Sequence, residues 1–389
     1  MKIGLLGHGT IGIGVDHIVK TVPGMEVKKI LSLIVDDEMA GRTASGIDDI
    51  LNDSEIDTVV EVMGGIHPAY EFLSAAINAG KNIVTANKAV VAAYYRELNA
   101  LAKAKGVSFR ATAAVGGGIP WLTSIESKNR IDRIVSLSGI MNGTTNYILS
   151  TMEDSILRDG TVKEDAPSFE DVLKRAQELG YAEKDPTADI DGYDVRRKVT
   201  ISANAAFGVV LDEETVPTFG IRNVKLSDLK AADEKGAVIR LVAEAARDGE
   251  DVCAAVMPCF VKKTDMEANV RENYNLFTLT GECTGVFKFY GQGAGRYPTA
   301  GNVVSDLRDI LEKHPGFYTE DFRDAKVSCG SEEACYYVRT KEQDDYLLSV
   351  TAEEKDGAVF TKKVKSEELI PWALEKQKRD KSFFIARVM

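Results

Sequence analysis

One short stretch limits what the first third of this chain can fold into. Gly7-His8-Gly9-Thr10-Ile11-Gly12 follows the apolar run KIGLL and opens the helix-period segment IGIGVDHIV. Each glycine has its own task. Gly7 permits a tight turn, Gly9 lets backbone approach a pyrophosphate, and Gly12 lets helix and strand pack closely. The phosphate then meets the unpaired N–H groups of the helix start, where Thr10 and Ile11 stand. Such a loop works only between a strand and a helix, and here the flanks agree. KIGLLG, VKKILSLIV, IDTVVEVM, NIVTAN and VSFRATAAV are short, rich in valine and isoleucine, and bounded by turn residues. Between them AYEFLSAAINAG and VVAAYYRELNALAKAKG carry helical period. The alternation predicts an α/β fold for residues 1–120, a Rossmann-type doubly wound parallel sheet with a dinucleotide at the carboxyl ends of its strands.

Three strand ends should therefore face the ligand. The second strand is expected to end at Val35-Asp36-Asp37. A carboxylate at Asp36 would accept hydrogen bonds from a ribose diol and repel a 2′-phosphate. That favours NAD, with NADP second because Arg42 is near enough in sequence to compensate. The third strand runs into Glu61-Val62-Met63-Gly64-Gly65, and the fourth into Thr85-Ala86-Asn87-Lys88. A lysine so placed is either solvated or set over a nicotinamide, and spacing does not separate the two.

From about Ile119 the pattern changes. IDRIVSLSGIM reads as a strand, and FEDVLKRAQELG and DVRRKVTISANAAFG read as helices. AVIRLVAEAARDGEDVCAAVMPCFVKK reads as two strands joined at Asp248-Gly249, and NLFTLTGECTGVFKFYG as another pair. Residues 121–297 are thus expected to form a mixed α+β domain. A helix at about 298–313, opening on Pro298, should complete the first domain, and the more polar residues 314–389 should form a small C-terminal appendage.

Inside the second domain GYAEKDPTADIDGYDVRRK crowds Glu183, Asp185, Asp189, Asp191 and Asp194, then closes on Arg196, Arg197 and Lys198. Crowded carboxylates need a cation. A calcium loop would put Thr187 at its first position and Lys198 at its twelfth, where a bidentate glutamate is required, so that reading fails. A solvated charged face remains open. The other open reading is a substrate with an ammonium group and a reducible carbonyl. Asp194 and Lys198 lie one turn apart on one helix face. The acids would hold the amine, and the lysine would give a proton to the carbonyl oxygen as hydride arrives.

Charge narrows the partners. Lys and Arg number 48 against 60 Asp and Glu, a net charge of −12, which argues against nucleic acid and anionic membranes. No apolar run approaches the ~20 residues of a membrane span. Five cysteines without a CxxC pair read as thiols of a reducing cytoplasm, and four histidines offer no zinc set.

Taken together, GHGTIGIGV, VVEVMGGIHPA, GKNIVTANKA, AAVGGGIP, SGIMNGTTNYILSTM, ELGYAEKDPTADIDGYDVRRK and GQGAGRYPTAGNVVSDL resemble homoserine dehydrogenase from Met1 to about Glu312. The resemblance implies reversible NAD(P)-dependent reduction of L-aspartate 4-semialdehyde to L-homoserine, on the way to threonine and methionine. It implies that Lys198 is the acid–base lysine, with Lys88 a rival near the nicotinamide. Glu183 and Asp194 match acids that bind substrate, with Asp189 in the same cluster. Asn142, Gly143, Thr144 and Thr145 match the loop lining the substrate pocket, and Gly295 a glycine at the cofactor. It further implies a homodimer built on the second domain. A sodium ion would sit on the carbonyls of Val115, Gly117 and Ile119, but Thr112 stands where the family places a glutamate, which argues against tight binding. Many relatives carry an arginine near Asp36 for a 2′-phosphate, and its absence again favours NAD. Longer members end in an ACT-type domain, and SEEACYYVRT resembles its first strand, although the expected Pro-Gly turn is missing. Two other readings are a related oxidoreductase acting on another amino-acid aldehyde and a catalytically silent dinucleotide-binding sensor. The joint presence of Glu183, Asp194, Lys198 and Lys88 speaks against the sensor.

Overall fold

The computed structural model describes residues 1–35, 39, 41–157, 159–314 and 322–389. The chain divides into two compact units. One comprises Met1–Arg133, Asn204–Val210 and Gly291–Asp324, and the other Ile134–Ala203, Leu211–Tyr290 and Ala325–Met389.

The first unit is built on five parallel strands: β1 (Lys2–Leu6), β2 (Glu26–Leu31), β3 (Thr58–Glu61), β4 (Asn82–Thr85) and β5 (Phe109–Arg110). Their order is β2-β1-β3-β4-β5. All four residues of β3 are buried, as expected of a parallel strand covered on both faces. Connections leave β1 toward β2 on one side and β3 lies on the other, so the crevice opens beyond the carboxyl ends of β1 and β3. The Arg296–Leu311 helix returns from late in the chain and packs Val303 and Leu307 into the core with Ile3, Leu5, Val15, Val60 and Val84. Its close approach to the Thr10–Val19 helix needs Gly14, where a Cβ would stand 2.9 Å from that of Ala300.

Two strands are shorter than their sequences suggest. β2 stops at Leu31, paired with Leu6, because its neighbour β1 turns away at Gly7. Leu33, Ile34 and Val35 follow at 105%, 79% and 60% exposure instead of extending the strand. Asp36 lies outside the described residues. β5 pairs only at Phe109 and Arg110, after which Thr112–Ala114 form a 3₁₀ turn.

The second unit holds a mixed sheet. Its main path runs Gly285–Gln292, Tyr274–Gly281, Ile134–Ile140, Ala237–Asp248, Asp251–Lys262, Phe384–Val388, Glu333–Arg339, Ala358–Thr361 and Thr351–Lys355. The last four strands, with the Asp345–Val350 and Ser366–Arg379 helices, make a β-α-β-β-α-β unit in spatial order fourth-first-third-second. All its neighbouring strands are antiparallel, which is ferredoxin-like topology. This segment is not set apart as the change in composition near 314 suggests. Phe384–Val388 pairs in parallel with Asp251–Lys262, and Tyr336, Val338, Leu347 and Ile370 share one apolar cluster with Val242 and Met257. Among the described residues no helix is long and apolar enough to cross a membrane.

Candidate active site

The charged run of the second unit separates into distinct jobs once folded. Asp191 forms an ion pair with Arg222 at 2.7 Å, and Asp185 accepts from the backbone N–H of Thr187. Arg196 and Arg197 turn to Glu214 and Glu213. What remains converges on the start of the Tyr193–Phe207 helix. Lys198, 8% exposed, places Nζ 2.7 Å from Asp194 Oδ2 and donates to the carbonyl of Met141 at 2.7 Å. Asn142 Nδ2 donates to the same Asp194 oxygen at 2.9 Å and to Asp189 Oδ1 at 2.6 Å. Two carboxylates, one ammonium and one neutral amide thus meet in a single cluster.

Asn142 is fixed by a second task. It caps the Gly143–Glu153 helix, its Oδ1 accepting from the N–H of Thr145 at 2.8 Å. Gly143 must lack a side chain, because a Cβ would lie 2.7 Å from the Asn273 carbonyl. Thr144 donates to the Tyr181 carbonyl at 2.6 Å, tying this loop to the turn that carries Glu183. Glu183 itself is exposed, and among the described residues its carboxylate makes no hydrogen bond or ion pair. The structure therefore joins Lys198, Asp194, Asp189 and Asn142 directly, but not Glu183.

In the first unit the glycine loop has the shape a dinucleotide requires. Gly7 adopts φ +98°. A Cβ on Gly12 would stand 2.1 Å from the Gly7 carbonyl oxygen, while one on Gly9 would meet nothing within 4 Å. The open side at Gly9 fits a pyrophosphate over the first turn of the Thr10–Val19 helix. Arg42 is engaged elsewhere: its Nη2 lies 2.9 Å from Asp16 Oδ2 within a bidentate pair, and Asp16 is buried.

The two further strand ends are joined by a group that motif reading leaves without a role. Glu61, fully buried, accepts from the N–H of Met63 at 2.8 Å, from that of Gly64 at 3.3 Å and from the Thr85 hydroxyl at 2.5 Å. Asn87 Nδ2 approaches it at 3.4 Å and donates to the Gly65 carbonyl at 2.6 Å. Burial pushes the Glu61 carboxyl up, and these donors oppose that shift. Asn87 also caps the Lys88–Lys105 helix, so Glu61 sets the position of Lys88 through it. The only available signal was an apolar strand that ends on an acid.

The proposed cation loop does not fit a cation. Asn302 Nδ2 donates to the carbonyls of Gly117 and Ile119 at 2.5 and 3.1 Å. Thr112 offers no carboxylate; its N–H and hydroxyl both donate to Asp306, at 2.8 and 2.6 Å. Among the described residues no group of three or more His, Cys, Asp or Glu could hold a metal ion. Gly295, at φ +123°, precedes the Arg296–Leu311 helix.

Comparison with known proteins agrees with this layout. The family profile described as homoserine dehydrogenase, NAD binding domain, matches residues 7–111, and that of homoserine dehydrogenase matches 120–308. A homoserine dehydrogenase of Synechocystis is 38% identical over 351 residues, covering 86% of this chain and 79% of its own. One from Bacillus subtilis is 36% identical over 326 residues, covering 80% and 73%. The crystal structure of a homoserine dehydrogenase from Thiobacillus denitrificans superposes with a TM-score of 0.85 at 31% identity, covering 100% of this chain and 98% of that one.

Proposed function

The chain belongs to the homoserine dehydrogenase family, and from its geometry we propose which residues carry the reaction. That reaction is the reversible, nicotinamide-dependent reduction of L-aspartate 4-semialdehyde to L-homoserine, a step of amino-acid biosynthesis. The bound dinucleotide supplies the hydride or takes it back. Gly7, Gly9, Thr10, Ile11 and Gly12 hold its pyrophosphate, and Gly64, Thr85, Asn87, Lys88 and Gly295 border its nicotinamide end.

The observation that carries the assignment is the buried ammonium of Lys198, with Asp194 and the Met141 carbonyl each at 2.7 Å. Lys198 gives a proton to the aldehyde oxygen in reduction and recovers it from the hydroxyl in oxidation. Asp194 offsets the buried charge and fixes the amine. Asp189 and Glu183 receive the substrate ammonium, and Gly143, Thr144 and Thr145 shape the pocket around Asn142. Lys88 is the second candidate for the proton. Lys198→Ala is expected to lower turnover by roughly 10²–10⁴-fold, the usual contribution of a positioned acid, with NADH affinity nearly unchanged. Equal loss of NADH binding in a fluorescence titration would make the lysine structural.

NAD is the preferred cofactor and NADP the second. The commitment of Arg42 to Asp16 supports this, since it leaves that guanidinium away from a 2′-phosphate. A homodimer through the second unit is supported by the open sheet edge at Gly285–Gln292, where Val286, Phe287 and Tyr290 are exposed. The β-α-β-β-α-β order of the C-terminal segment supports its ACT-like reading. A cytoplasmic location rests on composition alone.

A further inference from the structure

We propose that the side-chain amide of Asn302 takes the place of a monovalent cation at the Val115–Ile119 loop, so that this enzyme needs no alkali cation to hold the loop. A carbonyl oxygen has two lone pairs. That of Ile119 accepts from Asn302 Nδ2 at 3.1 Å and from the Trp121 N–H at 2.7 Å, so both are in use. The Gly117 carbonyl meets the same amide nitrogen at 2.5 Å. One nitrogen therefore stands where two carbonyls converge, and its two N–H bonds supply the positive charge density an ion would bring. The orientation of the amide is fixed, because the flipped form would set Oδ1 against two carbonyl oxygens with no proton between them.

The side chains around the loop are committed as well. Asn302 and Thr112 are both more than nine-tenths buried. The Thr112 hydroxyl donates to Asp306 at 2.6 Å, so this position presents a neutral oxygen and no carboxylate to offset an ion's charge. Asp306 lies one turn beyond Asn302, and the Arg110 guanidinium stands 4.0 Å from it and 2.8 Å from Asp309. Positive charge is already supplied locally. Backbone geometry locks the loop as well. Gly116 and Gly117 adopt φ +90° and +56°, the Gly118 N–H donates to the Gln292 carbonyl at 3.1 Å, and that of Ile119 to the Gly116 carbonyl at 2.8 Å. A Cβ on Gly117 would lie 2.5 Å from the Gly293 carbonyl. One helix thus closes the loop with two side chains.

The test does not depend on the reaction assigned above, because its readouts are NADH affinity and melting temperature. Protein exchanged into tetramethylammonium chloride is titrated with NaCl or KCl at constant ionic strength. The expected result is coincident curves, with NADH Kd within about twofold and Tm within about 1 °C throughout. A sodium- or potassium-specific rise in Tm of several degrees, or a roughly tenfold gain in NADH affinity, would overturn the proposal. Asn302→Asp replaces the donor with an acceptor and is expected to make both readouts require sodium or potassium. Wild-type behaviour of that variant in tetramethylammonium would also overturn it. Should the variant fail to fold in every salt, the wild-type titration decides alone.

Discussion

Asn142 holds two carboxylates with one end of its amide and caps a helix with the other, so the acids at 189 and 194 are positioned by a neutral residue 47 and 52 places away. Glu183 differs in kind, since its exposed carboxylate has no protein partner among the described residues. A contact made to the ammonium throughout the reaction contributes to ground state and transition state alike. Glu183→Ala is therefore expected to raise the KM for homoserine by about 10–100-fold, the worth of one charge-assisted contact, while leaving kcat close to wild type. An unchanged KM would remove Glu183 from the substrate site. Glu61 acts through other groups. Glu61→Gln exchanges an acceptor oxygen for a donor among Met63, Gly64, Thr85 and Asn87, and should cost about 1–3 kcal/mol of stability and weaken NADH binding. Calorimetry and NADH titration together check this, and a variant with wild-type values in both would show that the strand ends hold themselves. The residue types of the site were legible in the sequence, where Lys198 and Asp194 share a helix face. Their division of labour was not, because Arg222, Glu213 and Asn142, which claim or hold the other members of the run, lie far away along the chain.

Elements place these residues through their ends. β1 turns at Gly7, and this one event forms the phosphate loop and deprives β2 of a partner beyond Leu31. Valine and isoleucine content predicts strand to Val35, but propensity cannot supply a neighbour to pair with. The same limit shortens β5, since β4 ends at Thr85. The Arg296–Leu311 helix carries a titratable group into the core. Burial pushes the Asp306 carboxyl up to about 7, against two hydrogen bonds from Thr112. A folded value above the unfolded one means that the protonated form is the one favoured by folding. That contribution is complete below the ordinary value of 3.8 and is lost as pH rises through about 7. Melting temperature should fall across this window for this reason, and Asp306→Asn, which keeps a partner for Thr112, should lose that part of the slope. An identical slope in the variant would contradict the assignment.

At the scale of the molecule, the chain leaves its first unit and returns to it twice, at Asn204–Val210 and Gly291–Asp324. The second return was visible as a helix because its period is long. The first was not, since it lies inside a continuous helical pattern. The C-terminal strands were least legible. They are short, and the pairing of Arg387 with Cys259 ties them to a strand far back along the chain. The reaction needs both a glycine loop for a dinucleotide and a buried lysine among acids. The most direct test is the initial rate at which the purified protein reduces NAD⁺, and separately NADP⁺, when supplied with L-homoserine. Turnover with both is expected, at a higher rate with NAD⁺. No turnover with either, in protein that still binds NADH, would contradict it.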